Sequence, residues 1–125
     1  MRLWKQLLLI DDDENIREMI PFIFDQENYK IETIADISDI ENLLEKFKPD
    51  LIMLDIMLGA EDGRVICRKL KQMPALSNVP IILLSAAIIN EESLDCGHDL
   101  LITKPFDISY LESMVEKLLQ KSLDI

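Results

Sequence analysis

Leu51-Ile52-Met53-Leu54-Asp55 sets four consecutive apolar residues directly before one carboxylate. A run this short and this uniformly apolar reads as a strand buried on both faces, and such strands belong to parallel sheets covered by helices on each side. The residue that ends such a strand stands at the carboxyl edge of the sheet, where loops and helix starts converge on ligands. Taken alone, Asp55 would serve equally well as a strand end or helix cap.

The pattern recurs. Leu7 to Ile10 is a second apolar run, followed at once by Asp11-Asp12-Asp13-Glu14 and then by Ile16, Met19, Ile20, Ile23 and Phe24 at helical spacing. Pro21 inside that helix should kink it. Ile31 to Ala35 reads as a second strand, and Ser38 with Glu41 fits a capping box for a helix whose stripe is Ile40, Leu43, Leu44 and Phe47. After the strand that carries Asp55, the loop Gly59-Ala60-Glu61-Asp62-Gly63 leads into a helix with Val65, Ile66, Leu70 and Met73 predicted inward, closed by Pro74. Val79 to Leu84 is a fourth strand ending at Ser85-Ala86, Asp99 to Thr103 a fifth, and Leu111, Met114, Val115, Leu118 and Leu119 mark a final helix. Five strands alternating with helices imply an α/β, doubly wound parallel sheet, because each crossover is right-handed and both faces must be covered.

Length and composition fit one domain spanning residues 1–125, and 49% hydrophobic content makes it globular. No stretch approaches the roughly 18 uncharged apolar residues of a membrane span, and no signal peptide is visible, so a soluble cytoplasmic protein is expected. A formal charge of −11 argues against nucleic-acid binding, which needs a basic face. Cys67 and Cys96 have neither metal nor redox spacing and read as ordinary thiols.

The polar residues gather at one predicted edge. Asp11, Asp12 and Asp13 follow strand one, Asp55 ends strand three, Ser85 ends strand four and Lys104 follows strand five. If strands one and three are neighbours, Asp12 and Asp55 lie close together, and crowded carboxylates resist ionisation unless a cation relieves them. Hard oxygen ligands suit Mg²⁺. Lys104 then offers a point charge and Ser85 a hydroxyl to a phosphate, and a carboxylate in this setting can act as a nucleophile toward a phosphoryl donor. Asp13 reads better as a helix cap than as a third ligand, Glu61 and Asp62 as solvent-facing, and Met53, Met57, Met73 and Met114 as core filler. His98, the only histidine, has no partner at metal or triad spacing and reads as a surface residue.

Several separated motifs resemble the receiver domain of two-component response regulators: Ile10-Asp11-Asp12-Asp13, Asp50 to Leu58 around Asp55, Asp62-Gly63, Pro80-Ile81-Ile82 with Ser85-Ala86, and Lys104-Pro105-Phe106. The resemblance implies a flavodoxin-like fold with strand order 2-1-3-4-5. It implies that Asp55 is phosphorylated by a sensor histidine kinase or histidine phosphotransfer protein. Asp12 would bind Mg²⁺ directly, Asp11 through water and Met57 through its backbone carbonyl, while Ser85 and Lys104 would hold the phosphoryl group. Such a domain is no enzyme beyond its own phosphorylation and dephosphorylation, and it signals to a downstream output domain or protein.

Three departures bear on output. Leu101 stands three positions before the lysine, where the family has a Tyr or Phe that turns inward on activation. The span from Ser85 to Lys104 is short by roughly one helical turn, which predicts a shortened or irregular helix four and gives no reason to expect dimerisation through it. Gly59 replaces a common proline, which should loosen the loop. An atypical switch is the expectation. Two rival readings are a receiver-like module that acts by protein contact without phosphorylation, and a Mg²⁺-dependent aspartyl-phosphate phosphohydrolase. The second lacks chain length for a cap domain. A flavin site would need a hydroxyl- and glycine-rich loop where this chain has acids.

Overall fold

The computed structural model describes residues 4–87, 89 and 95–123. Five strands form one parallel sheet: β1 (Lys5–Ile10), β2 (Tyr29–Ile34), β3 (Leu51–Asp55), β4 (Ile81–Ser85) and β5 (Leu100–Thr103), in spatial order β2-β1-β3-β4-β5. The flavodoxin-like topology read from the sequence is the one observed. Among the described residues four α-helices accompany it, α1 (Glu14–Ile23), α2 (Ile40–Lys46), α3 (Gly63–Gln72) and α4 (Ile108–Leu123).

The period-two alternation of side chains divides the core into two layers. Leu8, Ile10, Ile52, Leu54, Ile81 and Leu83 pack with Ile40, Leu44, Ile66, Cys67 and Leu70, so α2 and α3 cover one face. Leu7, Leu9, Leu51, Met53, Ile82 and Leu84 pack with Ile20, Phe24, Leu111, Val115 and Leu119, so α1 and α4 cover the other. The three central strands are buried on both faces, as their uninterrupted apolar runs require, whereas edge strand β2 alternates and β5 is only partly covered. Among the described residues no helix is long and apolar enough to cross a membrane.

Helix α1 contains Pro21 and stops two residues later, where Phe24 turns extended. Several local expectations give way to specific contacts. The capping box at Ser38 does not form: its N–H and hydroxyl both donate to Asp36 Oδ1, at 2.9 and 2.6 Å, and the helix begins after Asp39 without a side-chain cap. An Asx turn has captured the residue that would have capped. In α3, Val65 is exposed and Cys67 takes the inward position, because the buried face is set by Ile66, Cys67 and Leu70. Met57 is not core filler. It lies 63% exposed in a two-residue ribbon, Met57–Leu58 against Glu61–Asp62. Asp99 precedes β5 and closes its start, accepting from the Ile81 N–H with Oδ2 at 2.9 Å while its own N–H donates to the Ile81 carbonyl at 2.8 Å. The expected shortening of helix four concerns residues 86–98, of which 88 and 90–94 lie outside the described residues.

Candidate functional site at the carboxyl edge of the sheet

The parallel register brings strand ends to a common edge. Ile10 pairs with Leu54, Asp55 with Leu84 and Ser85 with Thr103, so the residues at or just past these positions are neighbours. Asp11 follows β1 and is fully buried, while Asp55 ends β3 at 5% exposure. Lys104 follows β5 and reaches back across the edge. Its Nζ donates to Asp11 Oδ2 at 3.0 Å and to Asp55 Oδ2 at 3.1 Å. Asp12 is exposed, yet Asp11, Asp12 and Asp55 each offer an oxygen within 4.8 Å of the others.

The backbone completes the setting. Asp11 Oδ1 accepts from the Asp13 N–H at 2.9 Å, Asp55 Oδ1 from the Met57 N–H at 3.0 Å and Asp12 Oδ2 from the Gly59 N–H at 2.9 Å. Arg17 donates to the Asp11 carbonyl at 2.9 Å, fixing α1 against the site. Gly63 opens α3 directly behind Asp55. A Cβ built there would lie 2.4 Å from the Asp55 carbonyl oxygen and 2.6 Å from Ile56 Cα, so only glycine permits this approach.

The electrostatics follow from that crowding. Burial holds the Asp55 carboxyl above its usual range, with the Asp11 charge adding to it, against the opposing pull of the Met57 N–H and of Lys104. Burial alone would lower the Lys104 amine, but its hydrogen bonds and ion pairs with Asp11 and Asp55 together raise it. Three carboxylates against one ammonium leave two negative charges uncompensated within a few ångströms. An all-oxygen donor set with that charge fits a divalent hard cation such as Mg²⁺.

The structure thus brings together Asp11, Asp12, Asp55 and Lys104, with Met57 held against Asp55 through its N–H. Ser85 is at the same edge and buried, but its Oγ is engaged locally, donating to the Ala87 carbonyl at 2.8 Å and accepting from the Ala87 N–H at 3.1 Å. Asp13 caps α1 through the Asn15 N–H at 2.9 Å. Asp62 caps α3 through the Arg64 N–H at 2.9 Å and pairs with that guanidinium at 2.8 Å, which holds its carboxyl below the usual range. His98, read as a surface residue, is half-buried, with Nδ1 at 3.5 Å from Cys96 Sγ. Both cysteines are free and buried. Desolvation, with Cys96 adding, pushes the Cys67 thiol up to about 12. Gly59 and Gly63, noted in the sequence as a departure and as part of a motif, contribute in ways the sequence did not assign. Their roles rest on a backbone donor and on an absent side chain, which a residue pattern does not display.

Beside Lys104 lies an apolar cleft of about 520 Å³ between α1 and the β5–α4 connection, lined by Ile16, Met19, Pro105, Phe106 and Ile108. It opens next to the acids and leaves Met19 and Ile108 partly in solvent.

An acid trio and a lysine at the carboxyl edge of a 2-1-3-4-5 sheet define a receiver-type site, and residues 7–116 match the response regulator receiver domain family. The chain belongs to that family. It is similar to the DNA-binding dual master transcriptional regulator RpaA of Synechocystis sp., with 30% identity over 120 residues that cover 94% of this chain and 50% of that protein. The alkaline phosphatase synthesis transcriptional regulatory protein PhoP of Bacillus subtilis is 32% identical over 123 residues, covering 94% and 50%. The chain spans about half the length of these curated relatives. Among solved structures, the signal receiver domain of a signal transduction histidine kinase from Syntrophus aciditrophicus superposes with a TM-score of 0.81 at 31% identity, covering 94% of this chain and 91% of that one. A CheY-like receiver domain protein from Methanospirillum hungatei gives 0.83 at 24% identity over 95% and 96%, a likeness of fold.

Proposed function

We propose that this domain is a Mg²⁺-dependent phosphoacceptor in a cytoplasmic phosphorelay, with Asp55 receiving the phosphoryl group. One observation carries the reading: the Lys104 ammonium bridges Asp11 and Asp55 at 3.0 and 3.1 Å while Asp12 brings a third carboxylate into the same space. Asp12 and Asp55 would hold the cation directly, Asp11 would act through water, and Met57 would add its backbone carbonyl. The cation supplies charge neutralisation for an incoming phosphoryl group.

In the transfer, an ionised Asp55 oxygen forms the new O–P bond as the P–N bond to the donor imidazole breaks. Lys104 pairs with the charge that arrives. Ser85 exchanges its local Ala87 partner for a phosphoryl oxygen. The apolar cleft beside Lys104 is where a sensor histidine kinase or histidine phosphotransfer protein rests while its imidazole reaches Asp55. Output passes to a further domain or protein, since relatives of twice the length are transcriptional regulators. With a charge of −11 this domain makes no direct nucleic-acid contact itself.

The output switch is atypical. Leu101 packs half-buried against the α2/α3 layer and offers no ring to turn inward. We assign the conformational readout to the connection from Ser85 to His98, whose described end is bonded to α3.

Incubation with Mg²⁺ and acetyl phosphate followed by intact mass measurement tests the assignment. One added phosphate, absent in Asp55→Asn and without Mg²⁺, is the expected result. No adduct in the wild type would leave a module that acts by contact alone, and rapid turnover of varied phosphate esters would make the protein a hydrolase.

A further inference from the structure

Asp12 differs from the other two acids. Asp11 and Asp55 are buried and tied to Lys104, whereas Asp12 is exposed and, among the described residues, forms no ion pair. An exposed carboxylate samples several rotamers, so a cation arriving at it must first immobilise it. Here that work is already done by a backbone donor 47 residues away: the Gly59 N–H, 2.9 Å from Asp12 Oδ2.

The donor can point at Asp12 because of the local backbone. Gly59 and Ala60 are the two loop residues of the ribbon formed by Met57–Leu58 and Glu61–Asp62. Gly59 has φ +60, the left-handed conformation that a tight two-residue hairpin turn places at its first loop position. A Cβ at Gly59 would meet Asp12 Oδ2 at 3.7 Å, an ordinary contact, so conformation and not space selects glycine. The glycine therefore does not simply loosen the loop. It presents an amide that a proline lacks.

We propose that Gly59 is a positioning residue of the cation site, its amide holding the Asp12 carboxylate in place for Mg²⁺ and coupling cation occupancy to the geometry of the 57–62 turn. The inference rests on the reading of Asp12 as a Mg²⁺ ligand. A carboxylate accepting a backbone N–H is a charge-assisted pair, and outer-shell partners of this kind typically alter metal affinity about 10- to 100-fold.

The test uses isotope-labelled protein observed by NMR, first in chelator and then through a Mg²⁺ titration. In chelator, Asp12→Ala is expected to speed amide exchange at Gly59 about tenfold; unaltered exchange would overturn the proposal. In the titration, Gly59→Asn bears the strain of a side chain at positive φ but keeps the N–H, and its Mg²⁺ dissociation constant should stay within about threefold of wild type. Gly59→Pro removes the donor and should weaken Mg²⁺ about tenfold. Urea unfolding in chelator separates this loss from general damage to the fold. Equal Mg²⁺ affinities in the two variants would remove the positioning role while leaving the phosphoacceptor reading intact. A wild type that shows no Mg²⁺-dependent shift would remove the cation reading and the positioning role together. If Gly59→Pro does not fold, the exchange comparison at Asp12→Ala decides.

Discussion

At Gly63 the chain passes so close to the end of β3 that the nearest neighbours of a hypothetical Cβ are all backbone: the Asp55 and Ile56 carbonyl oxygens, at 2.4 and 2.9 Å, and Ile56 Cα at 2.6 Å. No rotamer change relieves such a clash, so the start of α3 or the end of β3 must move. Gly63→Ala is therefore expected to destabilise the fold by about 1–3 kcal/mol, the usual range for overpacking, and to slow phosphate incorporation at Asp55 by displacing its carboxylate. Urea unfolding and timed mass measurements check the two parts, and an unchanged midpoint would show that the approach is not tight. The contrast with the acids explains what a sequence displays at this scale. Asp11, Asp12, Asp55 and Lys104 were legible as candidates because each ends an apolar run or lies within two residues of its end, and parallel strands carry such residues to one edge. The local engagement of Ser85 with Ala87 was not, because a hydroxyl's partner depends on a turn two residues long.

Helix α3 serves two regions at once. Its first turn, capped by Asp62, stands behind Asp55, and its second and third turns bind the connection that enters β5. Arg68 Nε donates to the Asp95 carbonyl at 2.9 Å, Cys67 Sγ to the Cys96 carbonyl at 3.1 Å, and the Lys71 stem lies 3.3 Å from where a Gly97 Cβ would sit. Cys67 and Arg68, at helical positions i and i+1, thus fix the descending end of the β4–β5 connection, with the Lys71 stem close beside Gly97. If that connection carries the output, weakening its anchor should alter local protection more than global stability. Arg68→Ala loses one exposed hydrogen bond, so a cost of at most about 1 kcal/mol is expected, with amide exchange at residues 96–98 several-fold faster. Unchanged exchange there would relieve α3 of the anchoring role. Helices α1, α3 and α4 were readable from their periodicity, yet Val65 turned out exposed and Cys67 buried. The two residues flank Ile66 on opposite sides, and only packing against Leu70 and the sheet decides which flank is covered.

Across the whole molecule the site opposes the fold that holds it. Asp55 is raised above the carboxylate value it has in an unfolded chain, so its contribution to stability is fully present below that ordinary value. It is lost as pH rises through the raised folded one. In the metal-free protein, wild type should lose stability relative to Asp55→Asn as pH climbs from about 4 toward neutrality, and Mg²⁺ should restore it. Urea midpoints in chelator across that interval check the sign; parallel curves for the two proteins would mean that Asp55 is not strained in this way. The doubly wound parallel sheet was legible in the pattern, because short double-faced apolar runs separated by helices admit few arrangements of a single sheet, whereas the strand order came from the resemblance to receiver domains. The ribbon at Met57–Asp62 was not, since two-residue strands carry no periodicity.

The Lys104 bridge joins residues 93 and 49 positions apart in the chain. Its ammonium directly follows β5, the fifth strand in chain order, while its two acceptors belong to the ends of β1 and β3. Until β5 docks, the acids lack their counter-charge. The edge of the sheet is therefore neutralised only once its fifth strand is seated beside the others.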